Sequence, residues 1–108
     1  MAENTIDLEQ AQIWRNNWKS SSKAWIAAND LQGFWVPGDD LSQTTAEGGE
    51  NCRIYLGLTE PGTGGEAKIM IVAVDEEGRD MINEEERLYI YDFTRPIPPM
   101  GDSSSPLN

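Results

Sequence analysis

Few side chains in this sequence are equipped for catalysis. None of the 108 residues is a histidine, which removes the commonest general base and a common metal ligand. Serines are plentiful, but Ser–His chemistry is excluded. Cys52 is the only cysteine, so no internal disulfide can form. A reactive thiolate needs a histidine, a basic neighbour or a helix N-terminus. Arg53 is adjacent, but on a strand it points to the opposite face, and Cys52 reads as a buried structural thiol. Asp75, Glu76, Glu77 and Asp80 are rich in oxygen. An EF-hand, however, needs ligands at alternate positions, glycine at the sixth and a bidentate Glu at the twelfth. No placement meets all three, so a solvated hairpin is the simpler reading. Asn83-Glu84-Glu85-Glu86 reads as a solubilising run. Gly62-Thr63-Gly64-Gly65 has the composition of a phosphate loop, but a strand follows where a helix N-terminus is required. With 19 acidic residues, chance carboxylate pairs are common. An enzyme working through carboxylates alone would need a cleft holding at least two buried ones. The sequence therefore predicts no catalytic residue, no metal ligand and no cofactor.

The aromatic residues are the strongest departure from an ordinary composition. Four tryptophans occur, three of them between Trp14 and Trp25. Trp14 and Trp18 read as anchors of a helix on a sheet. Trp25 and Trp35 lie in less regular stretches and are the candidates for a partner-facing patch, since Trp, Tyr and Arg are enriched where partners bind tightly. Tyr89, Tyr91 and Arg95 form a second candidate contact strip.

Charge separates the chain into two parts. Residues 1–29 carry Arg15, Lys19 and Lys23 against Glu3, Asp7 and Glu9, whereas the remainder carries the whole net charge of −11. Such a chain repels nucleic acid and anionic membrane. It suits a solubilising surface or a basic protein partner. Met1-Ala2-Glu3-Asn4 begins no secretory signal, and no apolar run approaches the ~20 residues that span a bilayer. The expected location is the cytoplasm.

The elements that must position these residues follow from periodicity. Asp7 caps a helix, with Gln10 three residues later. Leu8, Ala11, Trp14 and Trp18 recur at spacings of three and four, giving an amphipathic helix from about Leu8 to Lys19. Ser20-Ser21-Ser22 is expected to stop it, with a short second helix before Gly33. Phe34-Trp35-Val36 is a short strand ended by Pro37, and a short helix follows from Leu41 to about Thr45. Asn51–Leu58 alternates: Cys52, Ile54, Leu56 and Leu58 on one face, Arg53, Tyr55 and Gly57 on the other. Ala67–Val74 is the longest nearly unbroken apolar run and reads as the central strand, covered on both faces. Asp75–Gly78 is a tight turn whose glycine suits positive φ. Leu88–Phe93 is a further strand. Pro96, Pro98 and Pro99 make an extended end that cannot enter a sheet centrally.

Three of these segments carry a likeness. Arg53-Ile54-Tyr55 is an R-x-Y strand. Val72-Ala73-Val74-Asp75-Glu76-Glu77-Gly78-Arg79-Asp80 is a V-x-x-D-x-x-G-x-D hairpin. Tyr91-Asp92-Phe93-Thr94-Arg95-Pro96-Ile97-Pro98-Pro99 leads to a tail ending Ser105-Pro106-Leu107-Asn108. Together they resemble a group of small hypothetical proteins found in Bacteroidota. The resemblance covers about the C-terminal half and implies bacterial origin, with no activity to carry over. The pattern in that group often includes cysteines near the terminal prolines; Ile97 and Gly101 stand there in this chain.

The expected molecule is a single α+β domain spanning residues 1–108. An N-terminal amphipathic helix packs on a small, mostly antiparallel sheet of about three to five strands, and an extended proline-rich segment runs from about residue 95 to 108. The function expected of it is that of a non-enzymatic binding or accessory protein. The alternative is an acidic inhibitor of a basic protein, such as an immunity protein or DNA mimic. A homodimer through a sheet edge is the further option.

Overall fold

A computed structural model of the chain describes residues 4–98 and 101–107. The fold is α+β. A four-stranded antiparallel sheet has the order β1 (Thr5–Ile6), β5 (Ile90–Tyr91), β4 (Ala67–Val74), β3 (Asn51–Leu58). A separate antiparallel pair joins β2 (Gly33–Trp35) to β6 (Arg95–Ile97). The two helices are α1 (Leu8–Ala28) and α2 (Gly38–Ala46). Among the described residues no helix is long and apolar enough to cross a membrane.

All eight residues of β4 are buried, as its sequence requires of a strand flanked on both edges and covered on both faces. On one face Met70 and Val72 pack with Ala11 of α1 and Ile90, with Ile6, Trp14, Tyr55 and Ile82 around them. On the other, Ile69 and Ile71 pack with Tyr91, Phe34, Val36, Leu56 and Tyr89. That second face is covered by β2, α2 and β6, so the chain encloses its own central strand without a second copy. Gly57 permits the close approach of α1. A Cβ there would lie 2.9 Å from Met70 Cε and 3.0 Å from Trp14 Cβ.

The helix α1 is longer than periodicity suggests. Asp7 caps it as expected, Oδ1 accepting from the Gln10 N–H at 2.8 Å. It then runs straight through Ser20–Ser22. Ser20 Oγ donates back to the Asn17 carbonyl at 3.2 Å, keeping its competing hydrogen bond within the helix. Ser21 Oγ accepts from the Gly62 N–H at 2.9 Å, fastening the helix to the β3–β4 loop. Trp25, 4% exposed, packs on Leu58 and Ala67 and secures the last turns. Tertiary packing thus overrides serine's local preference. The expected second helix is the end of the first, and Asn29 closes it: its backbone is extended and its N–H bonds the Trp25 carbonyl at 2.9 Å.

The turn after β4 forms as its sequence specifies. Gly78 has φ 82°, and Asp75 Oδ1 accepts from the Glu77 and Arg79 N–H groups, both at 2.9 Å. The expected strand Leu88–Phe93 contracts to Ile90–Tyr91 because a side chain takes over the pairing. Thr94 Oγ1 accepts from the Ile69 N–H at 3.1 Å and donates to the Ile69 carbonyl at 2.9 Å, standing in for a strand residue. Two-residue β1 lay below any periodicity signal. Of the proline-rich end, Pro96 sits opposite Phe34 in the two-stranded pair; Pro99 lies outside the described residues.

Candidate functional site

The β3–β4 ladder shows which backbone groups of β3 are free. Thr59 N–H bonds the Glu66 carbonyl at 3.1 Å, continuing the register in which Gly57 faces Lys68 and Arg53 faces Val72. Hydrogen-bonded and non-bonded pairs alternate in an antiparallel ladder. Odd-numbered residues of β3 therefore bond β4, and even-numbered residues direct N–H and C=O off the outer edge. Two outward carbonyls are capped from α1. Arg15 Nη1 donates to Leu56 O at 2.7 Å, and Asn17 Nδ2 donates to Leu58 O at 3.0 Å. The outward groups of Cys52 and Ile54 have no such cap among the described residues. Ile54 is 53% exposed, and Cys52 is also exposed, with its thiol free. The expectation of a buried cysteine fails: the first four residues of β3, Asn51 to Ile54, are all exposed.

The same end of β3 is acidic. Glu50, Asp75 and Glu76 line a cleft of about 410 Å³ with Gly48, Gly49, Asn51, Val74 and Met81, and no basic residue contributes to it. The acidic hairpin is braced to β3. Arg53 donates to Asp80 Oδ1 at 2.5 Å and to the Gly78 carbonyl at 3.0 Å, and the Tyr55 hydroxyl donates to Asp80 Oδ2. The R-x-Y and V-x-x-D-x-x-G-x-D segments therefore meet: Asp75 and Gly78 shape the turn, and Arg53 and Tyr55 hold Asp80. These motif residues build a brace and leave no group poised for chemistry.

The five residues expected at a partner surface divide. Trp25 is core, its Nε1 donating to Gly65 O at 2.8 Å. Tyr91 is 2% exposed, and its hydroxyl donates to Glu47 Oε2 at 2.6 Å. Burial removes both from any surface contact. Tyr89 is half-buried with its ring edge-on to Tyr91. Trp35 and Arg95 do come together, opposite one another in β2–β6. Arg95 also lies 4.8 Å over the Phe93 ring, so a small exposed group of two aromatics and a guanidinium remains.

Carboxylates were the one catalytic option left open by the composition; among the described residues only Asp40 is buried, with Glu47 and Asp92 partly exposed. Asp40 is fully buried, with Oδ2 accepting from the Phe93 N–H at 3.0 Å and the carboxylate also hydrogen-bonded by the Asn4 side chain. Glu47 Oε2 accepts from Tyr91 and from the Tyr89 N–H, while its buried Oε1 is unbonded. Burial pushes both carboxyls above their usual range, against the hydrogen bonds that pull them down. Asp92 is pushed up to about 6 by burial, partly offset by nearby Lys68. Lys68 is itself lowered, first by burial, and its Nζ donates to the Thr94 carbonyl at 2.7 Å. These groups tie α2 and the segment 91–94 to the sheet.

Sequence alternation correctly assigned the two faces of β3 but carried no signal for its open edge, because edge position depends on strand order. No protein-family model, no curated protein and no solved structure matches this chain.

Proposed function

We propose that this chain is a non-enzymatic binding protein that adds an extended, basic segment of a partner protein to the open half of β3. The observation that carries the reading is the pair of uncapped residues, Cys52 and Ile54, on a strand whose other outward carbonyls are capped. Unpaired strand edges are templates for another strand, and strand addition gives affinity through the main chain and specificity through alternate side chains. Ile54 offers the incoming strand an apolar contact, and the cleft at Glu50, Asp75 and Glu76 suits a Lys or Arg one step further along. A net charge of −11 favours a basic partner and disfavours a second copy of the chain. The opposite edge is only two residues long, which blunts it.

An acidic inhibitor that imitates DNA would need one continuous acidic face. Here Glu50, Asp75 and Glu76 lie at one end of β3–β4, Asp30 and Glu66 line a cleft at the other, and Asp40 is fully buried. That distribution favours strand addition. A free thiol at the edge fits a reducing compartment, and we place the protein in the cytoplasm of a bacterium on that ground and on the likeness to the Bacteroidota group.

Calorimetric titration with a synthetic peptide of alternating Lys and Val tests the reading. Binding is expected to weaken as salt rises, and a peptide of alternating Glu and Val should not bind. Ile54→Pro removes one outward N–H without touching the ladder to β4 and should abolish binding. Equal affinity of the native and Ile54→Pro proteins would refute the proposal.

A further inference from the structure

A separate site lies beneath the first turns of α1. Leu8, Ala11, Met70, Val72, Ile82 and Ile90 wall a cavity of about 140 Å³ that opens to solvent past Gln12, Arg15, Tyr55 and Asp80. The walls are almost wholly apolar, the volume is close to the ~150 Å³ of an engineered cavity that takes up benzene, and the recess is open on one side. It has room for a ring or branched chain of roughly six carbons.

The mouth is not neutral. Asp80 is already claimed by Arg53 and Tyr55. Arg15 is half-buried, lies 5.5 Å over the Tyr55 ring and spends one N–H on the Leu56 carbonyl. No carboxylate among the described residues forms an ion pair with it. A guanidinium has five donors in a planar fork that matches a carboxylate. Arg15 at the mouth of an apolar cavity therefore has donors to spare for an anion.

We propose that this cavity binds a small monocarboxylate with an apolar body, the body inserted between α1 and the sheet and the carboxylate meeting Arg15 at the mouth. The volume of the cavity holds about six carbons of the body. The apolar walls exclude a sugar or nucleotide, whose hydroxyls would find no partner there. The position of Arg15 selects an anion over an amine. The site is independent of the β3 edge, and either can fail without the other.

The test is titration of the ¹⁵N-labelled protein with benzoate, 3-methylbutanoate, benzyl alcohol and benzylamine, followed by amide shifts. Both carboxylates should bind, with Met70, Val72, Ile82 and Ala11 shifting first. Benzylamine should bind at least about tenfold more weakly, the discrimination of one charge-assisted contact. Arg15→Gln should bring benzoate down to the affinity of benzyl alcohol. Ala11→Leu fills the cavity from the helix and Ile82→Phe fills it from the opposite wall. Either filled variant that keeps the native amide spectrum should lose benzoate binding. An affinity for benzoate that survives filling, equal affinities for benzoate and benzylamine, or no binding by the native protein at millimolar benzoate would each overturn the proposal.

Discussion

Replacing Asp92 by Asn should remove much of a pH effect on stability. Burial raises the Asp92 carboxyl from its usual 3.8 to about 6, with Lys68 only partly offsetting it. A tenfold change in proton affinity corresponds to about 1.4 kcal/mol, so the ceiling on the effect is about 3 kcal/mol, and residual exposure reduces it to about 2 kcal/mol. The sign follows from proton binding. Between about pH 4 and 6 the folded chain holds a proton that the unfolded chain has already lost. Stability therefore falls as pH rises through that window and levels off above it. Asp40 and Glu47 are raised as well and act in the same direction. Urea denaturation at a series of pH values, followed by tryptophan fluorescence, reads the effect directly. The native protein should be more stable at pH 5 than at pH 7. Asp92→Asn should gain about 2 kcal/mol at pH 7, little at pH 4, and lose much of the slope between them. A variant less stable than the native protein at pH 7, or one with an unchanged slope, would show that Asp92 is not a buried charge set against the fold.

Other substitutions test the packing. Thr94→Val should cost roughly 2–4 kcal/mol in denaturant melts, because it strands both the N–H and the carbonyl of buried Ile69; a cost below about 1 kcal/mol would contradict the side-chain bridge. Trp25→Ala should lose about 3–5 kcal/mol, whereas Trp35→Ala should stay within about 0.5 kcal/mol. Equal costs for the two would contradict their assigned burial. Gly57→Ala should lower the melting temperature by forcing α1 off the sheet, and Gly48→Ala, with open space around its Cβ but positive φ, should cost only the backbone strain of about 1 kcal/mol.

The sequence made some features plain for identifiable reasons. Ala67–Val74 has two apolar faces and can only be an internal strand, and Asp75 and Gly78 specify their turn chemically. Features decided by distant neighbours were hidden. The serines at 20–22 remain helical because Ser21 meets Gly62 and Trp25 meets Gly65, contacts about forty positions away. The pairing role of Thr94 depends on Ile69 being opposite it. Of the partner residues expected, Trp35 and Arg95 sit opposite one another in β2–β6, while Trp25 and Tyr91 were drawn inside by Gly65 and Glu47. Residues 53, 55 and 80 brace one another between β3 and the hairpin. The open edge beside them had no pattern, since backbone groups are the same in every residue.

Amide hydrogen exchange at four consecutive strand positions tests the central claim most directly. In the free protein, Cys52 and Ile54 should exchange rapidly, while Arg53 and Tyr55, bonded to β4, should be protected. With the alternating Lys–Val peptide bound, Cys52 and Ile54 should become protected and their neighbours should change little. Protection of Cys52 and Ile54 before any peptide is added, or unchanged exchange at both in its bound complex, would contradict an edge open for strand addition.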